Sequence, residues 1–286
     1  MANPAENSGD FAAILAFWRD AGVDEAMEDA PVDRYATSAT QPARQTAAPA
    51  AQTGIASPAA PAVRRAAEPP VAPVAVPLES PAAIQDARAV AAAATTLDEL
   101  RAAIEGFEAC ALKRTAKTTV FCDGNPNADV MIVGEAPGAD EDRMGKPFVG
   151  VSGQLLDRML GFIGLKRETD FHITNILPWR PPGNRTPTSG EIALCVPFIE
   201  RHIALVKPKV LILAGGVSAK TLFQTNEGIM KLRGRWFDFR PDYLQTAVPT
   251  MAIFHPAYLL RSPAQKREAW RDLLSIRQKL DELQKK

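Results

Sequence analysis

Four short apolar runs punctuate the second half of the chain. Residues 130–133 read as a buried strand that breaks at Gly134, crosses a polar loop and enters an amphipathic helix near Ser152. Residues 170–176 read as a second strand with Asn175 near its end, and residues 208–214 as a third. Residues 248–254 form the last, and His255 follows it directly. A weaker strand begins around Arg233, Arg235 and Trp236. Near-continuous apolar runs suit parallel strands covered on both faces.

Helical spacing fills the intervals. Thr96 and Glu99 form a capping-box pattern ahead of Leu97, Leu100, Ile104 and Phe107, and residues 81–94 make a helix before it. Thr188 and Glu191 repeat that pattern before a helix to about Leu205, and Gly215 and Gly216 lead into another through Phe223. Ser262, Pro263 and Gln265 signal a last helix, whose expected buried stripe is Trp270, Leu273, Leu274 and Leu280. Strands alternating with helices predict a three-layer α/β/α domain over residues 82–286, with a mostly parallel four-stranded central sheet.

The N-terminal third differs. Residues 11–27 carry Phe11, Ile14, Leu15 and Trp18 on one helical face, behind Asp10 as a cap. Within residues 1–30 this short helix is expected either to dock on the body of the same chain or to bind a protein partner in a groove. Residues 31–81 are rich in Ala and Pro with few large apolar residues, which predicts a disordered linker.

Composition changes the picture little. Of 286 residues, 46% are hydrophobic, enough for one sizeable core. Formal charge sums to zero, but residues 1–90 hold a net −5 and the remainder a net +5, a modest bias toward a polyanion partner. No run of about 18 apolar residues appears, so no membrane span is expected. The N-terminus lacks the basic and apolar regions of a secretory signal. Three cysteines, Cys110, Cys122 and Cys195, make no closed disulfide framework, so a reducing, cytoplasmic setting is expected for a monomer.

The loop after the first strand has neither GxGxxG nor a Walker ending, and its Glu135, Asp140, Glu141 and Asp142 would repel a phosphate. Phe148, framed by Gly145, Pro147 and Gly150, can offer a ring face to a flat ligand. The strand ends carry Glu135, Asn175 and His255 to one edge of the sheet, which makes a site by geometry.

These residues also carry a resemblance. GEAPGADEDRMGKPFVG (134–150), ITNILPWRPPGNRTPT (173–188) and HPAYLLRS (255–262) resemble, in order, three motifs of the family 4 uracil-DNA glycosylases. The similarity spans about residues 110–274. It implies uracil-containing DNA as partner and hydrolysis of the N-glycosidic bond by a monofunctional enzyme, in base excision repair. The alternative is a protein that binds or traps uracil in DNA without turnover. The resemblance implies Phe148 stacking on uracil, Asn175 reading its edge, Asn184 near the site and His255 stabilising the departing base. Glu141, then Glu135, are the candidates for positioning water, because Ala136 stands where more distant relatives carry an Asp. Leu259 and Leu260 match the segment that fills the vacated base stack. Arg261, Arg180 and Arg185 are candidates for phosphate contact.

One departure stands out. The family carries four cysteines for a [4Fe–4S] cluster. Here Cys110 and Cys195 match two positions, while the other two are Phe107 and Trp179. Two thiolates cannot hold the cluster, so no cofactor or metal is expected at those positions.

Overall fold

A computed structural model describes residues 80–240 and 242–285. The helix expected at residues 11–27 lies outside them. So does the linker, except its last two residues, which already cap and open the first helix.

Two helices lead in. Ser80 caps α1 (Pro81–Ala93), and Thr96 caps α2 (Leu97–Gly106). The sheet follows: β1 (Asp123–Gly124), β2 (Val130–Gly134), β3 (Phe171–Asn175), β4 (Val210–Ala214), β5 (Trp236–Phe239) and β6 (Val248–Ile253). Helices α3 (Ala139–Met144) and α4 (Val151–Gly161) lie between β2 and β3, and α5 (Ser189–Val206) lies between β3 and β4. Short α6 (Gly216–Leu222) and α7 (Ile229–Leu232) precede β5, while α8 (Pro256–Arg261) and α9 (Lys266–Gln284) close the chain. Among the described residues no helix is long and apolar enough to cross a membrane.

The spatial order is β1-β3-β2-β4-β6-β5. The four expected strands form a parallel centre, β3-β2-β4-β6, and short antiparallel strands β1 and β5 extend it to six. The chain moves to one side of β2 for β3 and to the other for β4, and such a reversal opens a crevice at the carboxyl ends of the strands.

Strand alternation builds two apolar layers. Met131, Val133, Leu211 and Leu213 face one layer with Leu100, Ile104 and Phe198 of α2 and α5. Val130, Ile132, Val210 and Ile212 face the other with Leu156 and Leu160 of α4 and Leu273, Ile276 and Leu280 of α9. The stripe of α9 departs from expectation. Its buried face runs Ala269, Asp272, Leu273, Ile276, Leu280. Trp270 and Leu274 each sit one residue past that face and are exposed.

One contact between a helix and the preceding loop positions the site. Phe148 adopts φ 54°, a conformation that L side chains rarely hold. Gly153, in the first turn of α4, lies so close that a Cβ there would sit 1.9 Å from the Phe148 carbonyl oxygen. Backbone cannot yield as a side chain tip can. Gly153→Ala is therefore expected to destabilise the domain by about 1–3 kcal/mol, as overpacking does, measured as a fall in the urea midpoint, with uracil release lost in parallel.

Candidate active site

The carboxyl edge of β2, β3 and β6 opens into a cleft of about 440 Å³. Its walls bring together Glu135, Glu141, Phe148, Asn175, Asn184, Arg185, His255 and Arg261 of the expected residues. Arg180, Leu259 and Leu260 do not line it.

The floor depends on a residue without a side chain. Parallel pairing sets Gly134 at the end of β2 beside Asn175 at the end of β3. A Cβ on Gly134 would lie 2.4 Å from Asn175 Oδ1 and 2.5 Å from Phe148 Cζ. Glycine alone lets the amide and the ring meet there. Asn175 is only 5% exposed, and its amide makes no hydrogen bond to the described residues. An amide in this position is left to a ligand, since buried polar groups are otherwise paired.

Phe148 is pinned by Arg167, which sequence reading did not single out. Its guanidinium donates to the carbonyls of Pro147 at 3.0 Å and Phe148 at 2.8 Å. It also pairs with Asp157 at 2.8 Å and Asp123 at 3.4 Å. These partners lie 10 to 44 residues away in sequence, so no local spacing marks Arg167. A strained backbone costs of order 1–3 kcal/mol and persists only when its surroundings over-determine it; Arg167 and Gly153 do so here.

His255 ends β6 and caps α8. Its Nδ1 accepts from the Ala257 N–H at 3.2 Å, so the proton of the neutral ring is assigned to Nε2. Burial pushes its pKa down to about 4, and the Arg261 charge lowers it further while Glu141 opposes. The ring is therefore neutral near pH 7 and offers Nε2–H as a donor. It stacks 5.7 Å from Phe148, at 30° between planes. Gly215, at φ 116°, passes close beneath, where a Cβ would lie 3.2 Å from His255 Cβ.

The two glutamates separate clearly. Glu141 accepts from the N–H groups of Gly138 at 3.1 Å and of Val149 and Gly150 at 2.9 Å each. It closes the loop that carries Phe148. Glu135 makes no side-chain hydrogen bond to the described residues, lines the cleft, and has its pKa raised by burial. The order in which sequence ranked them is reversed by these partners: Glu141 holds backbone, and Glu135 is open to a ligand or water.

The central loop ties its arginines to neighbouring residues. Arg180 Nε donates to Asn184 Oδ1 at 2.7 Å, and Asn184 itself takes φ 55°. Arg185 grips Glu191 with two bonds of 2.8 and 2.6 Å, and Glu191 also completes the capping box with Thr188. Arg185 is thus paired with a carboxylate, while Arg180 makes a single Nε bond to a neutral amide. Arg261 makes no ion pair among the described residues and borders the cleft. Leu259 is wholly buried among the residues of the α4/α9 layer, which corrects its assignment to DNA contact; Leu260, 41% exposed, stays at the surface.

The four positions that hold a cluster in the resembled family lie in one apolar layer here. Phe107, Cys110, Trp179 and Cys195 are all buried in it. Phe107 meets Phe198 edge-on at 5.1 Å, and Trp179 donates to Thr119 Oγ1 at 3.1 Å. Neither replacement can ligate iron, and both occupy volume, so these residues do not fit a [4Fe–4S] cluster.

Comparison with known proteins agrees with the geometry. The family model described as "Uracil DNA glycosylase superfamily" matches residues 121–274. A type-4 uracil-DNA glycosylase of Pyrobaculum aerophilum is 39% identical over 181 residues, 62% of this chain and 91% of that protein. One from Archaeoglobus fulgidus is 36% identical over 63% of this chain and 92% of its own length. One from Thermotoga maritima is 39% identical over 54% and 78% respectively. With its motifs converging on a single cleft and its relatives matched over most of their length, the chain belongs to the uracil-DNA glycosylase superfamily and, within it, to the type-4 group.

Proposed function

We propose that this cleft extracts uracil from DNA and that Phe148, Asn175, His255 and Glu135 divide the work of cutting its glycosidic bond. As a DNA glycosylase the protein hydrolyses the bond between uracil and deoxyribose and leaves an abasic site. The single observation that carries the division of labour is the Asn175 amide, nearly buried and unpaired among the described residues, beside the Phe148 ring in the cleft that His255 also lines.

Uracil offers N3–H and O4 on one edge, which an amide matches with one acceptor and one donor. Cytosine reverses that polarity, and a site built to hydrogen-bond one edge rejects an analogue that leaves its buried groups unpaired. Phe148 supplies the flat surface. The base reaches the cleft only after leaving the helix, and Leu260 can fill the gap it leaves. Arg261 is the group available to a flanking phosphate.

The N1–C1′ bond breaks with both electrons on the base. Negative charge spreads to O2 and O4 of uracil. His255 Nε2–H donates to O2 and Asn175 to O4, stabilising charge that appears only as the bond breaks. A water adds its oxygen to C1′ of the cationic sugar, and Glu135 takes the water's proton. The apolar packing of Phe107 and Trp179 takes over the structural role of a cluster, so no step involves iron.

Asn175→Ala and His255→Ala should each lower uracil release from a uracil-containing oligonucleotide by about 10²–10³-fold, with unchanged thermal midpoints. Full activity in both would remove the site from this cleft.

The glutamates make opposite predictions. Glu135→Gln should lower turnover by about 10²–10⁴-fold and leave stability intact. Glu141→Gln should instead destabilise the fold by about 1.5–3 kcal/mol, through weaker bonds to three N–H groups. In the wild type, Glu135 must be ionised and His255 neutral. Because burial raises the first pKa and lowers the second to about 4, falling pH protonates Glu135 first. The acid limb of kcat/KM should therefore follow Glu135 and show no break at 6.5, the ordinary histidine value.

Elemental analysis of the purified chain should find no iron above background, and its visible spectrum no cluster absorption. Iron near four atoms per chain would refute the cluster-free reading.

A further inference from the structure

Away from the cleft, on the face of the sheet covered by α5, a sulfur and two imidazoles converge. Cys122 immediately precedes β1, His172 lies in β3, and His202 lies in α5. One ligand atom from each lies within 4.8 Å of the other two. We propose that Cys122, His172 and His202 form a zinc(II) site that ties the edge strand β1 and helix α5 to β3.

The backbone presents these groups by register. β1 and β3 are antiparallel, and Gly124 stands directly opposite His172. Gly124 has no side chain, and Cys122, two residues earlier, shares its face of the strand. The sulfur thus reaches the imidazole diagonally. On the helix side, His202 stacks on Phe121 at 4.6 Å and 11° between planes, which fixes the ring.

Hydrogen bonding alone accounts poorly for the pair. The two Nε2 atoms lie 2.8 Å apart, so one donates to the other. His172 Nδ1 is then buried with no partner. A ring placed only for hydrogen bonding would leave a buried polar nitrogen unmet, at a cost of about 1–3 kcal/mol. Coordination gives a reason for three ligand atoms of two kinds to meet in an otherwise apolar layer. One thiolate and two neutral imidazoles suit zinc(II), with the fourth position left to water, since Cys122 is only half-buried. Arg101 and Asp123 stand beside the sulfur with opposite charges.

The site is independent of the cluster positions. Cys122 is not among them, and no histidine is. It nevertheless joins elements from the same regions of the chain, a segment before β2 and helix α5. A single ion would then restrain what apolar packing of Phe107 and Trp179 restrains in the same layer.

The test uses the full chain purified without chelator and dialysed against zinc(II). Elemental analysis should find about one zinc per chain. In Cys122→Ala and in His202→Gln, zinc affinity should fall by at least about 10-fold. Zinc should raise the thermal midpoint of the wild type in a concentration-dependent way, and leave that of Cys122→Ala unmoved. Cobalt(II) added to metal-free wild type should give a thiolate charge-transfer band that disappears in Cys122→Ala and survives in Cys110→Ala. Circular dichroism and uracil release confirm that each variant is folded, and uracil release by the wild type reports separately on the cleft. Absence of zinc uptake and of the cobalt band in the wild type would overturn the proposal. So would uptake that none of these substitutions changes. Either result would reduce His172 and His202 to a hydrogen-bonded pair.

Discussion

The close approach of β2 and β3 at their carboxyl ends governs the cleft. Gly134 and Asn175 are register partners, and the space where a Cβ would stand is shared by the Asn175 amide and the Phe148 ring. Two strands of a parallel sheet can bring functional groups that close only if one contributes no side chain at the meeting point. The strained backbone of Phe148 follows from the same demand. The ring must turn over Gly134, and the carbonyls on either side of the Pro147–Phe148 junction are then held by Arg167. Binding surface, strain and clamp are one mechanical unit.

Electrostatics divides labour within this unit. A carboxylate saturated by three N–H groups, as Glu141 is, behaves as a part of the backbone. A carboxylate of the same motif with no hydrogen-bond partner among the described residues, as Glu135 is, keeps its lone pairs open to the cleft. His255 is tuned in the same spirit. The Ala257 N–H takes Nδ1, burial removes the second proton, and a neutral donor faces the cleft.

The α5 side of the sheet shows how a fold retains its connections when its ligands change. Phe107 and Trp179 bury aromatic surface beside Cys110 and Cys195, and a fully buried large apolar side chain contributes roughly 1.5–3 kcal/mol. Apolar packing is non-directional and tolerates rearrangement, unlike coordination, which demands a complete ligand set. Loss of two cysteines therefore removes the possibility of a cluster altogether but need not remove the core around it.

Much of this was legible from residue order. Near-continuous apolar runs and helices of period 3.6 located the four central strands and most helices, because burial on both faces leaves a continuous signature. The motifs placed Asn175 and His255 at strand ends and Phe148 in the loop after the first strand, and counting cysteines excluded a four-thiolate cluster. Short β1 escaped notice because two residues carry no periodic signal, β5 gave only a weak one around Trp236, and Trp270 and Leu274 were misplaced because one residue of helical phase separates core from solvent. What the fold alone decided was which polar groups were already occupied. Glu141, Arg180 and Arg185 look as available in sequence as Glu135 and Arg261, and Leu259 looks as exposed as Leu260. Their difference lies in partners that only the folded loop brings within reach, while the Arg167 clamp and the meeting of Cys122, His172 and His202 draw on distant segments. Hydrogen bonds and ligand sets are satisfied across space, so only the folded chain reveals which groups remain to act.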